Sequence, residues 1–295
     1  MKKFYIIGTL ILALIGLRAI DPFPIESMRL KTFDYFISTL PNIGDENILL
    51  VDIDDDSLQQ LGQWPWPREV FCRFLGPGVT GFSVLFPEED RFGGDKNLAK
   101  CIKKNPVVVS AAASNSDSAG KPPHVGTSSI GEDPKPFLFS YKGVLNNVDR
   151  IEGAAIGNGV TSTAPEVDNL VRRLPLVFNI NDTLYPSFGL EVLRAAAGAK
   201  SYALKTNKTG IEALRVKGLP PITTDANARV WATWNTQFER ISAKDYVEKA
   251  PEYPIVLLGV TARGASTLVS TPDGLKAPHE IQAAAISTLL QGKNI

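Results

Sequence analysis

The 295-residue chain has only two cysteines and two histidines, and no zinc-ligand spacing among them. That leaves little from which to build a soft-metal centre, and no metal or cofactor is expected. Net charge is also missing, because 31 Lys plus Arg balance 31 Asp plus Glu. With no field of one sign, nothing draws the chain to nucleic acid or to an anionic membrane surface. Apolar residues at 44% and charged residues at 21% are ordinary globular proportions, which argues against disorder. The length suffices for one large domain or two smaller ones around a buried core.

Long uncharged runs are scarce, and the one that matters opens the chain. Lys2 and Lys3 precede fourteen uncharged residues, Phe4 to Leu17, and then Arg18, Ala19 and Ile20. A basic start and an apolar middle suit a secretory signal, but Leu17-Arg18-Ala19 puts a bulky leucine where cleavage needs a small residue. With Arg18 snorkelling, Phe4 to Ile20 gives 17 residues, the lower limit of a spanning helix. We therefore expect residues 1–20 to be an uncleaved anchor in the cell inner membrane, with Lys2 and Lys3 on the cytoplasmic side. Residues 21–295 then form one domain on the periplasmic side. A cleaved signal releasing a soluble exported binding protein is the alternative.

Beyond the anchor, Met28, Leu30, Phe33, Phe36, Ile37 and Leu40 fall near helical spacing up to Pro41. From Ile48 a strand-helix rhythm begins. Ile48 to Val51, Val79 to Phe86 and Val107 to Val109 read as strands. Between them, Pro67 opens one helix and Asp95 caps another. Residues 114–136 form a long polar excursion. Gly157 to Thr163 and Leu174 to Ile180 read as strands, and "NINDT" turns a hairpin. A helix over Phe188 to Ala197, strands over Arg229 to Trp234 and Ile255 to Val260, and a helix over Glu280 to Leu290 complete the pattern. This is an α/β fold: a layered domain with a mainly parallel central sheet plus a β-hairpin, preceded by one membrane helix.

The chemistry concentrates in "NILLVDIDDDSLQQLGQWPWPREV", residues 47–70. Carboxylates at a strand's C-terminal end are where α/β proteins hold ligands. Asp52-x-Asp54 resembles the first motif of haloacid-dehalogenase-type phosphatases, a magnesium-dependent phosphohydrolase chemistry. Asp56 stands where that family has Thr or Val, and the later strand "PIVLLGVTARGA" ends without the paired acids. A calcium loop through Asp52, Asp54 and Asp56 lacks the glycine and the glutamate it needs, because Ser57 and Gln63 occupy those places. The plainer role is capping of the short helix "LQQLG" by at least one of Asp55, Asp56 and Ser57, which precede it. Four carboxylates within five residues need donors around them. Arg68 is the nearest cation in sequence, expected to face one of them while Trp64 or Trp66 shields the pair.

The segment "ILLVDIDDDSLQQLGQWPWPRE" closely resembles the signature of the type-2 CHASE domain, an extracytoplasmic sensory module of bacterial receptors. Five further blocks follow in order: "GVTGFSVLFPEEDRFGGDKNLAKCI", "EVDNLVRRLPLVF" with "YPSFGLEVLRAAAG", "VWATWNTQFERISAKDYVE", "PIVLLGVTARG" and "STPDGLKAPHEIQAAAISTLLQG". Ser83, Asn169 and Thr267 depart from the family's usual residues, as does the shortened start of the last helix at Pro278.

The resemblance implies a non-catalytic domain that senses an unknown small-molecule ligand. It also implies a homodimer or a separate output protein as partner, with a further membrane helix expected near Ile295. On this reading the ligand surface is Asp54, Asp56, Trp64, Trp66 and Arg68, joined by Arg172, with Lys276 approaching if the C-terminal loop folds back. Cys72 and Cys101 fall on two helices expected to share a sheet face. A bridge is permitted there, but two buried free thiols are the expected state.

Overall fold

A computed structural model describes residues 2–117 and 120–292 of the chain. Helix α1 (Lys2–Ile20) buries none of its residues, and among the described helices it alone is long and apolar enough to cross a membrane. Asp21, at φ 41°, and Pro22 break it from helix α2 (Phe23–Ser38). Arg18 and Arg29 both reach the Asp21 carboxylate, at 3.4 and 2.8 Å. Helix α2 lays one side on the body, burying Leu30 and seating the Phe33 ring 4.7 Å from that of Trp231.

The central sheet has seven strands. Strand β1 (Ile43–Ile53) is flanked in parallel by Thr236–Ser242, which forms the sheet's edge, and by Ile255–Val260. Next come β2 (Val79–Phe82) and β3 (Val107–Ser114), also parallel. Gly143–Leu145 joins β3 antiparallel, and Gly157–Val160 joins it parallel.

Alternation along β1 divides the core. Ile48 and Leu50 pack with the helices Phe188–Ala196 and Pro278–Gln291 on one face. Leu49, Val51 and Ile53 pack with the 3₁₀ helix Arg68–Phe74, with α4 (Asp95–Ile102) and with the helix Ala243–Lys249 on the other. Both faces are covered, which is why the strands are apolar on both sides.

The α/β class, the mainly parallel sheet and the hairpin stand as expected. Val177–Ile180 and Thr183–Pro186 pair antiparallel, and Asn181 (φ 46°) and Asp182 (φ 60°) take the left-handed conformations a two-residue turn demands.

Several boundaries differ. The strand opened by Val79 stops at Phe82, and the helix after Pro67 is 3₁₀. Leu174 to Ile180 splits at Leu176, because Arg173–Pro175 pairs instead with Arg229–Trp231. The polar excursion contains a strand, Thr127–Ile130, that pairs with Tyr202–Asn207 in a small separate sheet. The first three strands are not sequential neighbours either, since Ile255–Val260 inserts between β1 and β2.

Cys72 and Cys101 do share a face, and they form a disulfide with Cα atoms 5.7 Å apart. The expectation of two free thiols is therefore corrected. The short 3₁₀ helix and α4 pack closely enough to bring the two sulfurs together.

Candidate functional site

Strand β1 delivers its aspartates to the sheet's carboxyl end, and each finds a different partner. Asp54 caps α3 (Asp55–Leu61), accepting from the Ser57 backbone N–H at 2.8 Å and from the Ser57 and Ser242 hydroxyls. Asp55 accepts the Arg263 backbone N–H at 3.0 Å, and Asp56 pairs with Lys244 at 3.1 Å. Capping and local pairing thus disperse the mutual repulsion of the four carboxylates.

Asp52 has the most elaborate setting. Arg240, on the edge strand, forks both of its oxygens at 3.0 Å each, and His279 Nε2 lies 2.9 Å from Oδ1. An ionised carboxylate only accepts, so Nε2 donates. His279 is fully buried at the start of the last helix. A Cβ on residue 259 would lie 2.1 Å from its Nδ1, so glycine is needed there for the imidazole to rest on the Ile255–Val260 strand. Arg240 also bonds Glu280, whose other oxygen accepts the Ala277 N–H at 2.7 Å in that helix's first turn.

Burial would push the Asp52 carboxyl up, but the His279 and Arg240 hydrogen bonds outweigh it and hold it below the ordinary aspartate range. A carboxyl lowered in the folded state adds stability above its unfolded value, about 3.9, and loses it as pH falls through the folded value. In denaturation curves, the stability gap between the native protein and Asp52→Asn should therefore hold steady above about pH 5 and close on acidification. A gap independent of pH rules this out.

The tryptophans and Arg68 serve the neighbouring core. Trp66 is buried, stacks on Phe74 and donates its indole N–H to the Gly62 carbonyl at 2.6 Å. Trp64 is half-buried and meets Trp66 and Phe71 edge-on.

Arg68 turns away from the aspartate loop, which corrects the expected pairing. It bonds Asp95 at 3.1 Å and the Glu88 carbonyl at 2.9 Å, and stacks over the Phe86 ring at 4.6 Å. The 3₁₀ turn after Pro67 aims it along the sheet toward the loop before α4. Asp95 in turn accepts the Asp90 N–H there at 2.8 Å.

Arg172 also lies away from the loop, against α2. Its side chain, only 1% exposed, forks Asp34 of α2 at 2.8 and 2.7 Å and Asp168 at 2.7 and 2.8 Å. Burial works against its charge, but the two carboxylates outweigh burial and hold the guanidinium firmly protonated.

Sequence reading passed over Arg240, His279 and Asp34. Only the fold brings residues 52, 240 and 279 together, although a histidine one place after a helix-opening proline was a visible signal. Lys276 pairs with Asp273 in the turn between Val269–Thr271 and Gly274–Lys276, beside the edge strand and not with the expected loop residues. There it lines a cavity of about 400 Å³ together with Arg240, Glu280 and Trp234. Among the described residues, no three His, Cys, Asp or Glu side chains are grouped as a metal site requires.

The α/β domain thus grips, through Arg172 and Asp34, the helix that follows the apolar α1. The CHASE2 domain model matches residues 9–295, so the chain belongs to the CHASE2 family, the sensory domains of signalling receptors. No curated protein and no solved structure matches it.

Proposed function

We propose that the chain is the extracytoplasmic ligand-sensing part of a membrane-anchored signal-transduction receptor, without catalysis of its own. The observation that carries this reading is the Arg172 clamp. Two charge-assisted hydrogen bonds from Arg172 to Asp34 tie the domain to α2, one proline-marked break away from the apolar α1, and two more to Asp168 hold the guanidinium in place. A shift in the domain is then passed to the helix nearest the membrane. A ligand acts by binding two arrangements of that joint unequally.

The Cys72–Cys101 bond supports an oxidising compartment. Engagement of both Asp52 oxygens by Arg240 and His279 supports a structural role for it over that of a phosphohydrolase nucleophile. Asp54, Asp56, Trp66 and Arg68 act in this proposal as the frame of the sensing end, since their polar groups are engaged within the protein, and Trp64 joins them through its ring contacts with Trp66 and Phe71. The ligand contacts fall on neighbours with donors to spare.

Topology tests the reading. Alkaline phosphatase fused after Gly292 in a bacterial host should be active and should sediment with the membrane. A fusion that is made but stays inactive, as this disulfide-dependent enzyme does in the cytoplasm, overturns it. An active soluble fusion with a shortened N-terminus points instead to an exported binding protein.

A further inference from the structure

We propose that the cavity beside the edge strand binds a small organic monocarboxylate, one charged group on an apolar body. The proposal rests on the sensory reading above and names the ligand class. The cavity, about 400 Å³, lies between the Thr236–Ser242 strand, the Asp273–Lys276 turn and the first turns of the last helix. That volume falls within the range of small-molecule sites.

Donor arithmetic singles out an anion. Arg240 has five N–H groups, and three are used, two on Asp52 and one on Glu280. Lys276 has three, and one meets Asp273 at 2.8 Å. Both cations thus keep donors to spare at the cavity. The indole N–H of Trp234, a 7% exposed residue in the wall, has no acceptor among the described residues.

The rest of the wall selects within anions. Leu50, Phe238 and Ala284 supply apolar surface for a hydrocarbon body. Glu280 and Asp273 in the lining, with Asp52 behind Arg240, repel a second negative charge, which disfavours a phosphate dianion. A carboxylate on the spare edge of Arg240 competes with Glu280, and Glu280 also caps the last helix through the Ala277 N–H. Occupancy is thereby coupled to the seating of that helix.

Thermal shift and calorimetry on the full chain in detergent test this, with benzoate and cyclohexanecarboxylate as probes. Benzamide and inorganic phosphate are the controls. Both carboxylates should raise the melting temperature with concentration, and neither control should. Lys276→Gln, whose partner Asp273 is half-exposed, should weaken carboxylate binding about tenfold while the protein stays folded. Arg240→Gln should abolish binding, and the exposed Lys200→Gln should change nothing. No shift with either carboxylate, an equal shift with benzamide, or full affinity in Lys276→Gln overturns the proposal. A stronger response to phosphate overturns the ligand class. If carboxylates bind but the topology fusion is cytoplasmic, the receptor reading falls and the site stands; correct topology without binding sinks the site alone.

Discussion

Arg172→Ala should lower the stability of the folded domain by about 3–5 kcal/mol, because it leaves two largely buried carboxylates facing each other without a cation. Asp168 is 8% exposed and Asp34 17%, so water cannot readily take over. Arg172→Lys should recover only part of the loss, since an ammonium cannot fork two carboxylates at once. Asp34→Asn, which keeps the Asp168 pair, should cost less but should selectively free α2. Urea denaturation followed by tryptophan fluorescence measures the first effect. Amide hydrogen exchange over residues 23–38 measures the second. Undiminished protection of α2 in Arg172→Ala would show that helix to be held by packing at Phe33 and Leu30 alone.

The second large effect concerns the disulfide. Cys72 and Cys101 are 29 residues apart, and closing a loop of that length in the unfolded chain corresponds to about 3.5 kcal/mol. Serine at both positions, or reduction of the native protein, should move the urea midpoint by the corresponding amount. The bond also backs up Arg68, which reaches from the same 3₁₀ helix to Asp95 at the start of α4. Loss of the bond should therefore loosen the loop carrying Glu88 and Asp90 before the rest unfolds. Two thiols titrating freely in the native protein would contradict the pairing.

The central strands were legible because they are continuous apolar runs, and burial on both faces demands that pattern. The edge strand Thr236–Ser242 was not. Its sequence TQFERIS is half-exposed and polar, and only its place beside β1 makes it a strand. The residues of the small sheet were unread for a similar reason, since Thr127–Ile130 finds its partner more than seventy positions away.

At the site, local rules worked over short distances. A carboxylate does cap the helix that follows the cluster, but it is Asp54, because the helix starts early enough to take in Asp55, Asp56 and Ser57. Proximity in sequence failed for Arg68, because the turn after Pro67 directs it elsewhere, and the cation that holds Asp52 comes from residue 240. Charge balance required a partner for each aspartate, but only topology chose which.

The open rail of the sheet has a consequence of its own. Among the described residues Thr236–Ser242 has no strand beyond it, so its outward backbone groups are a template on which another chain could extend the sheet. Two features guard against such accretion. Gln237, Glu239 and Arg240 are exposed along the strand, and an incoming chain would have to strip water from adjacent opposite charges. The pairing with β1 also slips between Asp45 and Leu49, which breaks the even ladder that stacking of identical copies requires. Replacing Glu239 and Arg240 with β-branched apolar residues would remove the first guard and favour fibrous self-assembly over the single folded chain.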